Sequence, residues 1–180
     1  MPNKPAPVEV TVDPKTTALL VLDLNARCEN PAEPCHKLIE PVAKFLARAR
    51  QARLFIIYTA ADRYKGTPEA RMPHAFKQQS HEPVLFPPAF DKFYGGELQP
   101  MLQQRGIKTV IVCGASSNQA VLYTATAATR PFGYDVVIPV DGLIARGDYE
   151  HEFTLHQFTI LPGGAAQKFK ITQFDKISFS

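Results

Sequence analysis

The chain has 180 residues, 45% of them apolar and 10% aromatic, enough to build the core of one ordinary domain. With only 10 Gly and 3 Cys it is neither collagen-like nor a disulfide-stapled miniprotein, and the apolar fraction excludes a disordered chain. The 20 basic and 17 acidic residues leave a formal charge of +3 and are interspersed, which argues against a nucleic-acid partner.

Pro2, Pro5 and Pro7 mark residues 1–15 as an extended lead-in that no core element can use, and residues 16–180 read as one domain. The longest apolar run, Ala18 to Leu22, falls far short of the roughly 20 residues needed to cross a bilayer and has no small-residue cleavage site. No membrane association and a cytoplasmic address are expected. Cys28 and Cys35 could pair in an oxidising compartment, but Cys113 would be left over. Three reduced thiols in a reducing cell are the simpler account.

Apolar runs of strand length recur at Ala18–Leu24, Leu54–Tyr58, Thr109–Cys113 and Tyr134–Val140. Each is too continuous to leave one face in water, which is how parallel strands covered on both faces read. Between them the period turns helical. Leu38, Ile39, Val42, Phe45, Leu46 and Ala49 line one face of a segment ending near Arg53. Glu97 to Gln104 gives a shorter helix closed by Gly106. Ser117 to Thr129 gives a third, with Val121, Thr124, Ala125 and Ala128 inward and Pro131 and Gly133 stopping it. Asp148 to Ile160 forms a fourth helix and Phe169 to Thr172 a last short strand. Alternating strands and helices predict a three-layer α/β/α sandwich on a parallel sheet. In such sheets ligands bind beyond the carboxyl ends of the strands.

Two features sit at those ends. Asp23 follows five uninterrupted apolar residues; it reads either as a strand-terminating cap of the next loop or as a proton donor or acceptor. The segment Gly114-Ala115-Ser116-Ser117-Asn118-Gln119-Ala120-Val121 reads either as ordinary helix capping by Ser116 or Ser117 or as an anion receptor made of free backbone N–H groups. It has only one of the three glycines of a dinucleotide fingerprint and is not a phosphate-binding Walker loop.

These motifs, joined by Ala18-Leu19-Leu20-Val21-Leu22-Asp23, Phe93-Tyr94-Gly95-Gly96-Glu97-Leu98 and Gly133-Tyr134-Asp135-Val136-Val137 in that order, resemble the isochorismatase-like hydrolases, also called the cysteine hydrolase superfamily. The resemblance runs from about Thr17 to Ala145. It implies a six-stranded, mostly parallel sheet and a pocket at the strand ends, often completed by a neighbouring subunit, so a homo-oligomer and a small-molecule substrate are expected. Most members hydrolyse small amides through a Cys assisted by an Asp and a Lys; isochorismatases instead cleave a vinyl ether. The peptide before the nucleophile helix is commonly cis, which would fall between Ala115 and Ser116.

Carried over residue by residue, Asp23 matches the family Asp. The family Cys falls on Ala120, which has no nucleophilic atom, and the family Lys falls on Pro87. The nearby Asp91-Lys92-Phe93 offers Lys92 as an ammonium from a different backbone position, or as a solvated charge. Cys113 lies inside a strand, where a buried thiol is inert, and Ser117 has no predicted His to activate it. The Asp-x-His metal arrangement of the family's nicotinamidases becomes Asp62-Arg63-Tyr64 here, and His36, His74, His81, His151 and His156 have no metal-ligand spacing. No metal or other cofactor is expected. His151 and His156, with Glu150 and Glu152, read as a solvated helix face, and Arg63, Arg71 and Lys92 as either pocket cations or solvated charges.

The expected catalytic pair is therefore Asp23 and Lys92, with Ala115, Ser116, Ser117, Asn118 and Ala120 binding the substrate or its oxyanion. The expected activity is acid-assisted, non-covalent hydrolysis of a small molecule. The alternatives are a pseudoenzyme or binding module that kept the pocket, and an engineered Cys-to-Ala form of an amidohydrolase.

Overall fold

The computed structural model describes residues 5–180. Strand β2 (Thr17–Leu22) lies at the centre of the main sheet, flanked by β3 (Phe55–Thr59) and β5 (Thr109–Ala115). The sheet extends outward through β4 (Val84–Leu85) on one side and through β6 (Asp135–Pro139) and β8 (Phe169–Thr172) on the other, in the order β4-β3-β2-β5-β6-β8. The two-residue β7 (Leu143–Ile144) pairs with the end of β5, making seven strands where six were expected, and every pairing is parallel. All six residues of β2 are buried, as a strand covered on both faces must be.

Successive β2 side chains point to opposite faces, and the two halves of the core follow from that alternation. Ala18, Leu20 and Leu22 pack toward α2 (Leu98–Gln104), α3 (Leu122–Thr129) and α4 (Asp148–Ile160). Leu19 and Val21 pack toward α1 (Ile39–Gln51), where Val42, Phe45, Leu46 and Ala49 form the inner stripe. The residues predicted to face inward from the third helix, Val121, Thr124, Ala125 and Ala128, are all buried. Its first turn, Ser117–Val121, is a π-helix rather than the start of a regular α-helix.

The lead-in expected over residues 1–15 is corrected in part, residues 1–4 lying outside the described residues. Val10–Val12 forms β1, which pairs with β9 (Ile177–Phe179) in a separate parallel ribbon. That ribbon covers the α1 face, with Val12 and Ile177 buried and Phe174 stacked on Phe45 at 4.5 Å. The sequence carries little sign of this strand, because three prolines upstream dominate the composition and a three-residue strand has almost no periodicity. Among the described residues, no helix is long and apolar enough to cross a membrane.

Candidate active site

The carboxyl ends of β2, β3 and β5 open into a cavity of about 940 Å³. Asp23 is the first residue beyond β2. Its N–H still donates to the Thr59 carbonyl at 3.0 Å, but its φ of 55° turns the backbone out of the strand. Asp tolerates this left-handed conformation better than bulkier or β-branched residues. The Thr59 hydroxyl donates to Asp23 Oδ1 at 3.0 Å, and Lys92 Nζ lies 2.8 Å from Oδ2. Both carboxylate oxygens are thus occupied, one by a hydroxyl and one by an ammonium.

Lys92 comes from the loop before α2 and is almost wholly buried, its side chain 1% exposed. Its Nζ also donates to the Ala89 carbonyl at 3.2 Å, and its backbone N–H donates to Thr124 Oγ1 on α3 at 3.0 Å. The Thr124 hydroxyl in turn donates to the Phe90 carbonyl at 3.2 Å. One α3 side chain therefore holds the loop on both sides of Asp91. An ammonium taken out of water is tolerated only when paired and hydrogen-bonded, and Asp23 with Ala89 supplies that here.

The third wall is the turn after β5. Gly114 has φ 134°, and a Cβ there would meet the backbone of Leu22, so β5 can approach β2 this closely only with glycine. The Ala115–Ser116 peptide is cis, at the position the resemblance implies. Gln119 and Val121 both donate backbone hydrogen bonds to the Ser116 carbonyl, at 3.1 and 3.2 Å, leaving the Ala120 N–H outside that pair. Neither Ser116 nor Ser117 caps a helix with its side chain.

Of the residues expected at the site, Asp23, Lys92, Ala115, Ser116, Asn118 and Ala120 line one cavity. Ser117 does not; it is fully buried behind the wall, with its hydroxyl unpartnered among the described residues. Pro87, standing where the resemblance puts the family Lys, also lines the cavity. Cys113 is buried in β5, and burial pushes its thiol well above the ordinary range, so it is no substitute nucleophile.

The charged rim divides the alternatives that the sequence leaves open. Arg63 and Arg146 reach the cavity, but Arg71 is held elsewhere by Glu29 at 2.6 Å. Glu150, expected on a solvated helix face, lines the cavity, and His151 and His156 are half-buried. The expectation of three reduced thiols is overturned, because Cys28 and Cys35 form a disulfide and Cys113 alone is free. Compartment and the leftover Cys113 argue against the pairing in the sequence, and the 3-10 turns that bring the two cysteines together leave no periodic signal.

Asn25 is a site residue that the sequence does not single out. It is 1% exposed and lines the cavity, and neither atom of its carboxamide has a hydrogen-bond partner among the described residues. A buried amide with both ends unmet costs stability. Its place two residues after Asp23 was the available signal.

Residues 17–167 match the Isochorismatase domain. The uncharacterized isochorismatase family protein YecD of Escherichia coli O157:H7 is 29% identical over 79% of this chain and 87% of its own length. YwoC of Bacillus subtilis (strain 168), another uncharacterized member, is 38% identical over 35% of this chain; the match spans 33% of YwoC. Among solved structures, an isochorismatase family protein from Burkholderia thailandensis superposes with a TM-score of 0.80 at 21% identity, covering 94% of this chain and 96% of that one. With the domain match running from β2 almost to β8, and this parallel sheet shared with solved members, the chain belongs to the isochorismatase family.

Proposed function

We propose that this family hydrolase acts on a small molecule by acid-assisted, non-covalent hydrolysis, with Asp23 moving the proton and Lys92 holding the charge that Asp23 leaves behind. The observation that carries the reading is the 2.8 Å contact of Lys92 with Asp23 in a cavity whose wall has Ala120 at the nucleophile position. Without a nucleophilic atom there, no acyl-enzyme can form at Ala120, and a stable amide is a poor substrate. General acid catalysis contributes roughly 10²- to 10⁴-fold, which suffices for an activated bond such as a vinyl ether.

In that reaction Asp23, a carboxylate paired with Lys92 at rest, takes up a proton from solvent as substrate binds and gives it to the vinyl carbon, where the electron pair of the C=C bond forms the new C–H bond. The resulting oxocarbenium carbon takes up water. The water returns a proton to Asp23, and the hemiketal collapses to a carbonyl compound and an alcohol. Each donation leaves a carboxylate that the Lys92 ammonium and the Thr59 hydroxyl are placed to receive. Backbone N–H groups of the Ser116–Ala120 turn other than that of Gln119, with Asn25, orient the substrate, and Arg63 and Arg146 are at hand for a negatively charged group on it.

The reading includes a homo-oligomer, supported by exposed Phe90 stacked on exposed Tyr123 at 6.1 Å beside the cavity. It also includes a cytoplasmic address, where cellular thiols would challenge the Cys28–Cys35 bond. The test is to assay a vinyl ether of the kind isochorismatases cleave against small primary amides, with wild-type protein and Asp23→Asn. Release of the carbonyl product from the vinyl ether, lost in Asp23→Asn while the fold persists, supports the proposal. Unchanged turnover in that variant, or amide cleavage alone, overturns it.

A further inference from the structure

At the opposite end of the sheet a second cleft, about 680 Å³, lies between the C-termini of α1 and α2. Its charge is unbalanced. Lys15, Arg50, Arg53, His81 and Arg105 line it against a single carboxylate, Glu82. That carboxylate is fully engaged: Arg50 grips it from Nε and Nη2 at 2.7 and 2.9 Å, and the Tyr58 hydroxyl and the Gln79 N–H donate at 3.1 and 3.0 Å. Asp13, two residues before Lys15, is turned into its own loop, accepting from the Lys15 N–H at 2.9 Å. Lys15, Arg53 and Arg105 have no carboxylate partner among the described residues.

Two features distinguish this cleft from ordinary solvated charge. Arg105 is laid over the Phe55 ring at 3.9 Å, which fixes a guanidinium on the cleft wall. Arg53 stands at the residue after the cap of α1 with φ 62°, a position where glycine is the favoured residue. The comparison is internal to the molecule. Helix α2 ends at the same cleft with the same hydrogen-bond pattern, Ile107 N–H to the Leu102 carbonyl and Gly106 N–H to the Gln103 carbonyl, and there glycine takes the left-handed position with φ 63°. In α1 the equivalent bonds run from Leu54 to Ala49 and from Arg53 to Arg50, with arginine strained where glycine would relax. The two helix C-termini each contribute about half a negative charge, less than the three full cations that face them.

We propose that this cleft binds a small polyanion bearing two or more linked phosphate groups. The volume exceeds what a single phosphate fills and suits a compact ligand. Two guanidiniums and an ammonium spread across it match a chain of phosphates rather than one carboxylate. The site lies away from Asp23 and does not depend on the hydrolytic reading.

The test is calorimetric titration of the intact protein with inorganic tripolyphosphate and, separately, with ATP, both without metal, at low and at physiological salt. We expect saturable binding of tripolyphosphate that weakens as salt rises, and a loss of about tenfold or more in affinity in the double variant Arg53→Gly, Arg105→Gln. Arg53→Gly relaxes the backbone, so its melting temperature should hold or rise and keep the result interpretable. Equal affinity for the two ligands assigns recognition to the phosphates, and tighter ATP binding adds a contact to the nucleoside; either supports the proposal. No binding of either ligand at low salt overturns it, as does binding that survives the double variant but is lost in Arg63→Gln, Arg146→Gln at the other end of the sheet.

Discussion

Lys92 reaches Asp23 from a segment the sheet does not contain: Asp23 ends the central strand, whereas Lys92 sits in the loop before α2 with its ammonium 2.8 Å from Oδ2. Substituting Lys92→Met keeps the stem and removes the charge. Breaking a buried pair from one side strands the other charge, at a cost of up to about 3 kcal/mol, less where the partner keeps some solvent; Asp23 keeps 18%. Turnover should fall by about 10²-fold or more. A double-mutant cycle with Asp23→Asn, read by urea unfolding and by rate, should show strong coupling in both, and additive losses would dissolve the pair.

Placing a thiol at Ala120 tests the wall of the same cavity. In Ala120→Cys the new sulfur shares the cavity with the Lys92 ammonium, a cation that favours the thiolate. Iodoacetamide at neutral pH should label position 120 and spare Cys113, which is buried in β5. Peptide mapping by mass spectrometry reads the ratio, and equal labelling of both would place no cation near position 120.

Denatured without reductant, the chain should show one reactive thiol, because Cys28 and Cys35 are paired. Their bond closes a short loop carrying Glu33 and Pro34 on the cavity wall, with Arg27 just before it. Loop entropy gives about 2 kcal/mol for a loop of this length. Cys28→Ala with Cys35→Ala should therefore lower the unfolding midpoint and raise hydrogen exchange over residues 25–38, leaving β5 protected.

Gly114→Ala should be among the most damaging single substitutions in the chain. The added Cβ meets the Leu22 backbone, with C and N both at 2.8 Å, at a φ of 134°. Neither strand can yield without opening the β2–β5 pairing that supports Asp23. We expect a loss of more than about 3 kcal/mol, measurable by denaturant titration, whereas Gly96→Ala, with open space around it, should cost only its backbone strain.

Acid should loosen the outer loops before the core. The Arg71 guanidinium and the His74 N–H hold the Glu29 carboxyl down to about 2 from its ordinary 4.5. A carboxyl lowered in the folded state adds stability that is complete above pH 4.5 and is lost as pH falls toward 2. Glu29→Gln should melt below wild type at neutral pH and converge with it near pH 2. A difference that stays constant across that range would remove the role of this ion pair.

Much of this architecture was legible because burial on both faces leaves continuous apolar runs: Ala18–Leu22 and Thr109–Cys113 read directly as central strands, and Asp148–Ile160 as a helix. Asp23 was legible for the same reason, as the first charge after such a run. What the residues hid was decided by contact rather than pattern. The Lys92 ammonium finds its partner across the fold, and nothing in Asp91-Lys92-Phe93 distinguishes that from a solvated lysine. The Cys28–Cys35 bond and the orphan Asn25 amide depend on aperiodic turns, and β1 depends on a partner at the far end of the chain.

The hydroxyl of Thr124 ties the loop of Lys92 to the same helical segment that begins after the cis peptide and carries the amides of the cavity wall. Any tilt or slide of that helix therefore carries ammonium and amides together, so their mutual spacing survives motions that would detune a centre assembled from independent parts. What remains to be set is the placement of this unit relative to the carboxylate on the central strand, which the Lys92 contact with Asp23 holds.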